Sequence, residues 1–181
     1  MKNVLEYFEE TTKNFPNKVG FTDSDRKSTF SETMQNAKSI ASSLTTFGTK
    51  KAVAVVIDKN CNCIDAMLGA LYAGDYYIVV DVHSPQDRIE NILSTLGSAV
   101  IITDSASLGV ANAVKGDNSV VLYEDAVKTA IDENALCAVR SAMIDMDTAY
   151  ILFTSGSTGM PKGTVISHRA LISYINWVTE E

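Results

Sequence analysis

The sequence predicts an α/β fold, a largely parallel sheet flanked by helices. Two observations carry that expectation. Short aliphatic runs recur along the chain: residues 52–57 (AVAVVI), 76–80 (YYIVV), 99–102 (AVII) and 120–123 (VVLY). They are apolar at successive positions instead of alternating, as strands covered on both faces are. Between them lie segments whose apolar residues repeat at helical spacing, and alternation of the two kinds is the mark of a parallel sheet with crossover helices. At 181 residues the chain is sized for one medium domain with a sizeable core.

The elements follow in order. Val4, Leu5, Phe8 and Thr12 fall on one helical face, ended near Asn14 and Pro16. Residues 18–22 (KVGFT) read as a short strand and residues 23–27 (DSDRK) as a polar turn. Ser31 is expected to cap a helix with Met34, Ala37, Ile40, Ala41 and Leu44 inward. Residues 52–57 form a buried strand, 63–73 a helix closed by Gly74, and 76–80 a second buried strand. Pro85 opens a helix with Ile89, Ile92, Leu93 and Leu96 inward, ending at Gly97. Strands follow at 99–102 and 120–123, while residues 104–117 show no strong period. A strand at 150–153, a short strand at 164–166 and a helix over 170–178 complete the reading.

Composition excludes several functions. A formal charge of −7 argues against a nucleic-acid partner, since such surfaces cluster Lys and Arg to neutralise phosphates. The longest aliphatic run, residues 52–57, is too short to span a bilayer, and no membrane association is expected. The N-terminus, MKNVLEYFEE, places acids where an export signal needs apolar residues, so a cytoplasmic location is expected. Cys61, Cys63 and Cys137 make neither a disulfide framework nor a zinc set, and read as reduced thiols.

The segment after the last buried strand carries the chemistry. Residues 148–163 read TAYILFTSGSTGMPKG. Glycines and hydroxyl residues offer consecutive main-chain N–H groups that can curl around phosphate oxygens, and Lys162 adds a mobile positive charge. The Walker pattern fails, because Lys162 stands between Pro161 and Gly163. The dinucleotide pattern G-x-G-x-x-G fails as well, since Gly156 and Gly159 are spaced G-x-x-G and a strand follows. Spacing alone leaves a plain surface connection open.

The order of residues is more specific. F-T-S-G-S-T-G-M-P-K-G after A-Y-I-L resembles the signature loop of the adenylate-forming, AMP-binding superfamily, which includes acyl-CoA synthetases, luciferases and the adenylation domains of nonribosomal peptide synthetases. Residues 71–89 (LYAGDYYIVVDVHSPQDRI) resemble a second segment of that family, in the form nearest amino-acid-activating domains, and residues 28–32 (STFSE) resemble its T-Y-x-E-L helix start. Val79 and Val82 depart from the family at positions where prolines are common.

The resemblance implies the N-terminal subdomain portion of the acyl-adenylate synthetase fold, with residues 1–181 as the N-terminal fragment of an adenylation domain. It implies that Thr154, Ser155, Gly156, Ser157, Thr158, Gly159 and Lys162 grip the β- and γ-phosphates of ATP, with Lys162 in the catalytic role and Mg2+ bridging phosphate oxygens. The implied reaction is AMP-forming activation of a carboxylate, an amino acid by preference, and its transfer to a carrier-protein phosphopantetheine or to CoA. The chain carries only the phosphate grip and is expected to be inactive alone. An acyl- or aryl-CoA synthetase and a non-catalytic α/β scaffold stand as alternatives. Among other candidates, His168 reads as a capping or packing residue, His83 as solvated, Asp81 and Arg88 as a structural ion pair, and Tyr174 and Trp177 as residues expected to pack against the remainder of a longer protein.

Overall fold

The computed structural model describes residues 2–154 and 161–180. In chain order the elements are α1 Leu5–Asn14, β1 Val19–Thr22, β2 Lys27–Thr29, α2 Phe30–Leu44, β3 Ala52–Val56, α3 Cys61–Tyr72, β4 Tyr76–Val79 and α4 Gln86–Leu96. There follow β5 Ala99–Thr103, α5 Leu108–Val114, β6 Ser119–Leu122, α6 Tyr123–Ala126, α7 Glu133–Ala142, β7 Thr148–Thr154, β8 Lys162–Ser167 and α8 His168–Glu180. No helix among the described residues is long and apolar enough to cross a membrane.

β1 and β2 form a small antiparallel pair; the other strands make one sheet in the order β6-β5-β3-β4-β7-β8. All neighbours in that sheet are parallel except β7 and β8. β3 (AVAVV) and β5 (AVIIT) are buried at every position, which is why their sequences do not alternate. α2 and α3 cover one face with help from α1, α6 and α7, packing on Val53, Val55, Val100 and Ile102. α4 and α5 cover the other, over Ala54, Val56, Ile78 and Ile101. The change of face follows from handedness. β3 to β4 runs one way across the sheet and β4 to β5 the other, so right-handed crossovers must put α3 and α4 on opposite sides.

Local chemistry sets the element ends. Thr29, not Ser31, caps α2: its side chain accepts the Glu32 N–H while the Glu32 carboxylate accepts the Thr29 N–H at 2.8 Å. Threonine three residues before glutamate closes both bonds, whereas Ser31 lies inside the first turn. Asn60 caps α3 by accepting the Cys63 N–H at 3.1 Å. Gly74 follows α3 at φ 72°, a left-handed conformation that glycine adopts without strain. α2 and α3 meet at Gly69, where a Cβ would stand 2.5 Å from Ile40 Cγ2.

Several expectations are corrected. Val79, at the end of β4, is 45% exposed, so that strand is buried only in part. Tyr123 opens α6 rather than ending β6. The segment without a clear period holds α5, which buries Ala111 and Val114. α7, capped by Asp132 through the Ala135 N–H at 2.9 Å, had no counterpart in the sequence reading. No ion pair joins Asp81 and Arg88; Asp81 accepts the His83 N–H at 3.0 Å instead, closing the turn before α4 through the main chain.

Candidate functional site

β7 and β8 form the hairpin that bears the signature segment. β7 runs parallel to the central strands, so Thr154 stands at the carboxyl end of the sheet, where open α/β sheets bind ligands. β8 returns antiparallel, in unbroken register from Tyr150↔Ile166 to Thr154↔Lys162, with an irregularity between Thr148 and Tyr150. The last pair joins two of the predicted phosphate ligands and holds the ends of the intervening segment ~5 Å apart. Ser155, Gly156, Ser157, Thr158 and Gly159 lie outside the described residues. Thr154 and Lys162 are exposed, and Lys162 makes no ion pair or side-chain hydrogen bond with the described residues.

Strand parity fixes which way the pair faces. Tyr150 packs into the layer under α2 and α3 and Ile151 into the layer under α4, so Leu152 and Thr154 share the α3 side with Tyr150. Cross-strand register places Lys162 and Thr164 there too. Tyr77 and Tyr150 stack beneath them with ring centroids 5.5 Å apart. Burial pushes the Tyr77 hydroxyl up to about 12 and the Cys63 thiol up to about 11, so neither carries charge at neutral pH. Beyond the stack, Val79 and Leu152 are 45% and 58% exposed, a small apolar apron beside Lys162.

Gly163 contributes in a way that sequence reasoning missed. It faces Phe153 across the hairpin, and a Cβ there would stand 2.8 Å from Ile151 Cγ2 and 3.2 Å from the Phe153 ring. A glycine in register with an aromatic on the neighbouring strand is the signal, legible once the hairpin register is known. The polar clasp around Asp65 was missed as well. Its Oδ2 accepts from Arg26 at 2.8 Å, Asn36 at 2.8 Å and Tyr123 at 2.7 Å, tying the β1–β2 turn to α2, α3 and α6. Burial pushes the Asp65 carboxyl up, and the three donors oppose it. A lone aspartate inside the apolar run CIDAMLGALY was the clue.

His168 is a packing residue. It is 1% exposed, its Nδ1 accepts the Val4 N–H at 3.3 Å, and burial lowers its pKa, so the ring is neutral. It follows the far end of β8, and six residues of strand at ~3.3 Å each hold it ~20 Å from Lys162. His83 stays exposed, 3.3 Å from the Asp58 carboxylate. Tyr174 and Trp177 are 60% and 58% exposed, with ring centroids 6.2 Å apart.

Among the described residues magnesium finds no fitting donor set. Among the described residues no group of three or more His, Cys, Asp or Glu could hold a metal ion. The hairpin end presents a hydroxyl and an ammonium group, whereas magnesium prefers carboxylate oxygens and water.

Residues 8–181 match the family described as AMP-binding enzyme. The chain belongs to that family. Among curated relatives it is 28% identical over 172 residues to tyrocidine synthase 1 of Brevibacillus parabrevis, covering 94% of this chain and 16% of that protein. It is 33% identical over 175 residues to gramicidin S synthase 2 of Aneurinibacillus migulanus, covering 94% of this chain and 4% of that protein. The chain thus spans a sixth or less of the length of these relatives. Among solved structures, the Klebsiella oxytoca NpsA N-terminal subdomain in complex with 3-hydroxybenzoyl-AMSN is similar at a TM-score of 0.76 and 26% identity, over 93% of this chain and 42% of that one. A benzoate CoA ligase from Burkholderia xenovorans LB400 shares the fold at a TM-score of 0.81 and 21% identity, over 96% of this chain and 36% of that one.

Proposed function

We propose that this chain is the N-terminal part of an ATP-dependent, AMP-forming adenylation enzyme and supplies its grip on the phosphates. The substrate is a carboxylic acid, an amino acid by preference, and the acceptor a phosphopantetheine thiol in the cytoplasm. The carrying observation is the Thr154↔Lys162 pair at the carboxyl end of the parallel sheet, which brackets a sequence of glycines and hydroxyl residues.

In the reaction a carboxylate oxygen attacks the α-phosphorus of ATP. The bond to the bridging oxygen breaks, and pyrophosphate leaves with the electron pair. Two anions must meet, and negative charge grows on the leaving group. The Lys162 ammonium and the Thr154 hydroxyl, on paired strands at the carboxyl end of the sheet, are the described donors that would meet that charge. Lys162 is free to serve because it spends no charge on a described carboxylate.

The test is substrate-dependent ATP–pyrophosphate exchange by the longer protein that carries this chain. One amino acid should support exchange well above the others. Lys162→Ala should slow exchange by ~10–100-fold, the loss of one or two charge-assisted hydrogen bonds. Its melting temperature should not change, since Lys162 is exposed. Absence of exchange with every amino acid and aryl acid overturns the reading. A second reading, activation of an aryl acid, is favoured by the 26% identity to the NpsA subdomain solved with 3-hydroxybenzoyl-AMSN. Exchange supported by hydroxybenzoate in preference to any amino acid would select it.

A further inference from the structure

From residue 161 to residue 179 the only buried side chain is a histidine. His168 stands where β8 passes into α8, and its neighbours on both elements are exposed or half-buried. Packing alone does not account for its type. Its Nε2 is buried and has no hydrogen-bond partner among the described residues, a cost that leucine would not incur. The compensation lies on the other ring nitrogen. Nδ1 accepts the Val4 N–H at 3.3 Å, a donor at the start of α1 that no helical carbonyl can reach.

The same residue closes the root of the β7–β8 hairpin. Its main-chain N–H donates to the Asp147 carbonyl at 3.1 Å, and the Arg169 N–H to the Asp145 carbonyl at 2.7 Å. The Arg169 guanidinium adds two bonds to the Asp145 carboxylate, at 2.8 and 3.1 Å. The chain entering β7 and the chain leaving β8 are thus joined at one point, and His168 carries that joint to α1. Farther along, β7 pairs with β4 only at Tyr77↔Tyr150, and Tyr150 pairs with Ile166. Along β8 the joint at His168 lies two residues to one side of that contact, and Lys162 lies four to the other. A tilt about the contact therefore doubles a shift of the joint, so that ~0.5 Å at His168 becomes ~1 Å at Lys162. A misplacement of ~1 Å is enough to cost ~100-fold in rate.

We propose that His168 is a positioning residue: its bond to Val4 ties the root of the hairpin to α1, fixes the hairpin's angle and so sets where Thr154 and Lys162 stand. The tie itself needs no nucleotide; its catalytic consequence rests on the adenylation reading. The bond is open to test from both ends. His168→Leu keeps a buried side chain and removes the acceptor, whereas His168→Asn keeps an acceptor, Oδ1, close to the place of Nδ1. Val4→Pro removes the donor at a residue whose φ of −67° proline adopts unstrained.

Amide hydrogen exchange of the 181-residue chain, followed by mass spectrometry, supplies the readout. His168→Leu should speed exchange in residues 148–154 and 162–167 about tenfold more than in β3 and β5, the scale of one buried hydrogen bond. Val4→Pro should do the same, the double variant should add nothing, and His168→Asn should restore parental rates. A histidine that only fills space predicts the reverse order, with leucine the better substitute. If His168→Leu does not fold, Val4→Pro carries the test. In the longer protein His168→Leu should slow ATP–pyrophosphate exchange ~10–100-fold and His168→Asn should recover it. Four results overturn the proposal: leucine protecting the hairpin as well as histidine, asparagine failing to rescue it, Val4→Pro loosening α1 alone, or undiminished pyrophosphate exchange by His168→Leu. Absence of pyrophosphate exchange in the parent defeats the adenylation reading instead, and the amide rates alone then decide whether His168 ties the hairpin to α1.

Discussion

Gly163→Ala tests how the hairpin at the candidate site is built. Two effects oppose each other. Alanine narrows the conformations of the unfolded chain and by itself stabilises the fold by ~0.4–1 kcal/mol. Against this, the new Cβ would stand 2.8 Å from Ile151 Cγ2 and 3.2 Å from Phe153 Cε1 and Cζ. Carbon atoms settle at ~3.5–4.0 Å, so the first contact must open by roughly 0.7 Å. Ile151 cannot yield cheaply, because Cγ2 is one bond from its own Cβ and moves only if χ1 leaves its well or the strand shifts. Overpacking of this kind costs ~1–3 kcal/mol. The clash wins, leaving a net loss of ~0.5–2 kcal/mol, or ~1–8 °C in melting temperature for a chain of this size. Circular dichroism melts of the 181-residue chain measure it. In an Ile151→Ala background the same substitution should cost less, since Cγ2 is gone, and the double-mutant cycle gives the difference as a coupling energy. A Gly163→Ala chain that melts with the parent or above it, or a cycle without coupling, refutes the reasoning.

The remaining predictions concern the core, pH and the nucleotide. Gly69→Ala should destabilise by about 2 kcal/mol, as overpacking of ~3 kcal/mol against Ile40 outweighs ~1 kcal/mol of helix preference; a denaturant midpoint equal to the parent's would contradict the close approach of α2 and α3. Asp75 is 3% exposed, and burial raises its pKa to about 7 even though it accepts the Lys51 N–H at 2.9 Å. Between its unfolded value of 3.8 and about 7 the folded chain holds a proton that the unfolded chain has lost, so this group's contribution to stability falls as pH rises through that window. Asp75→Asn keeps the acceptor and cannot ionise; it should melt above the parent at pH ~8 and lose that advantage below pH ~4, and parallel pH profiles would refute the shift. If the proposed phosphate grip is the chain's whole share of the nucleotide site, the chain by itself should bind ATP more weakly than micromolar by calorimetry.

How much could be read in advance depended on burial. β3 and β5 were legible because every residue is covered, so AVAVV and AVIIT carry no polar interruption. Thr29 and Glu32 spelled their capping box openly, yet Ser31 drew the eye because serine favours caps in general. α7 escaped because it buries only Leu136, and one apolar anchor makes no period. β8 was read short because its first four residues are exposed and owe their conformation to β7 rather than to their own side chains. The Asp65 clasp joins residues 26, 36, 65 and 123, and no local pattern reports a bond across such separations. The candidate phosphate grip was legible only as an ordered motif, since main-chain amides leave no side-chain signature.

The seam between β4 and β7 is narrow. Their register rests on the single pair Tyr77↔Tyr150, while β7 and β8 are laddered along their length. Mechanically, that makes the hairpin a cantilever: stiff along its beam, pinned near its root by two stacked phenol rings, and unsupported by β4 toward Thr154 and Lys162. Such a beam swings as one piece about its pin, so the two ends of the signature segment travel together.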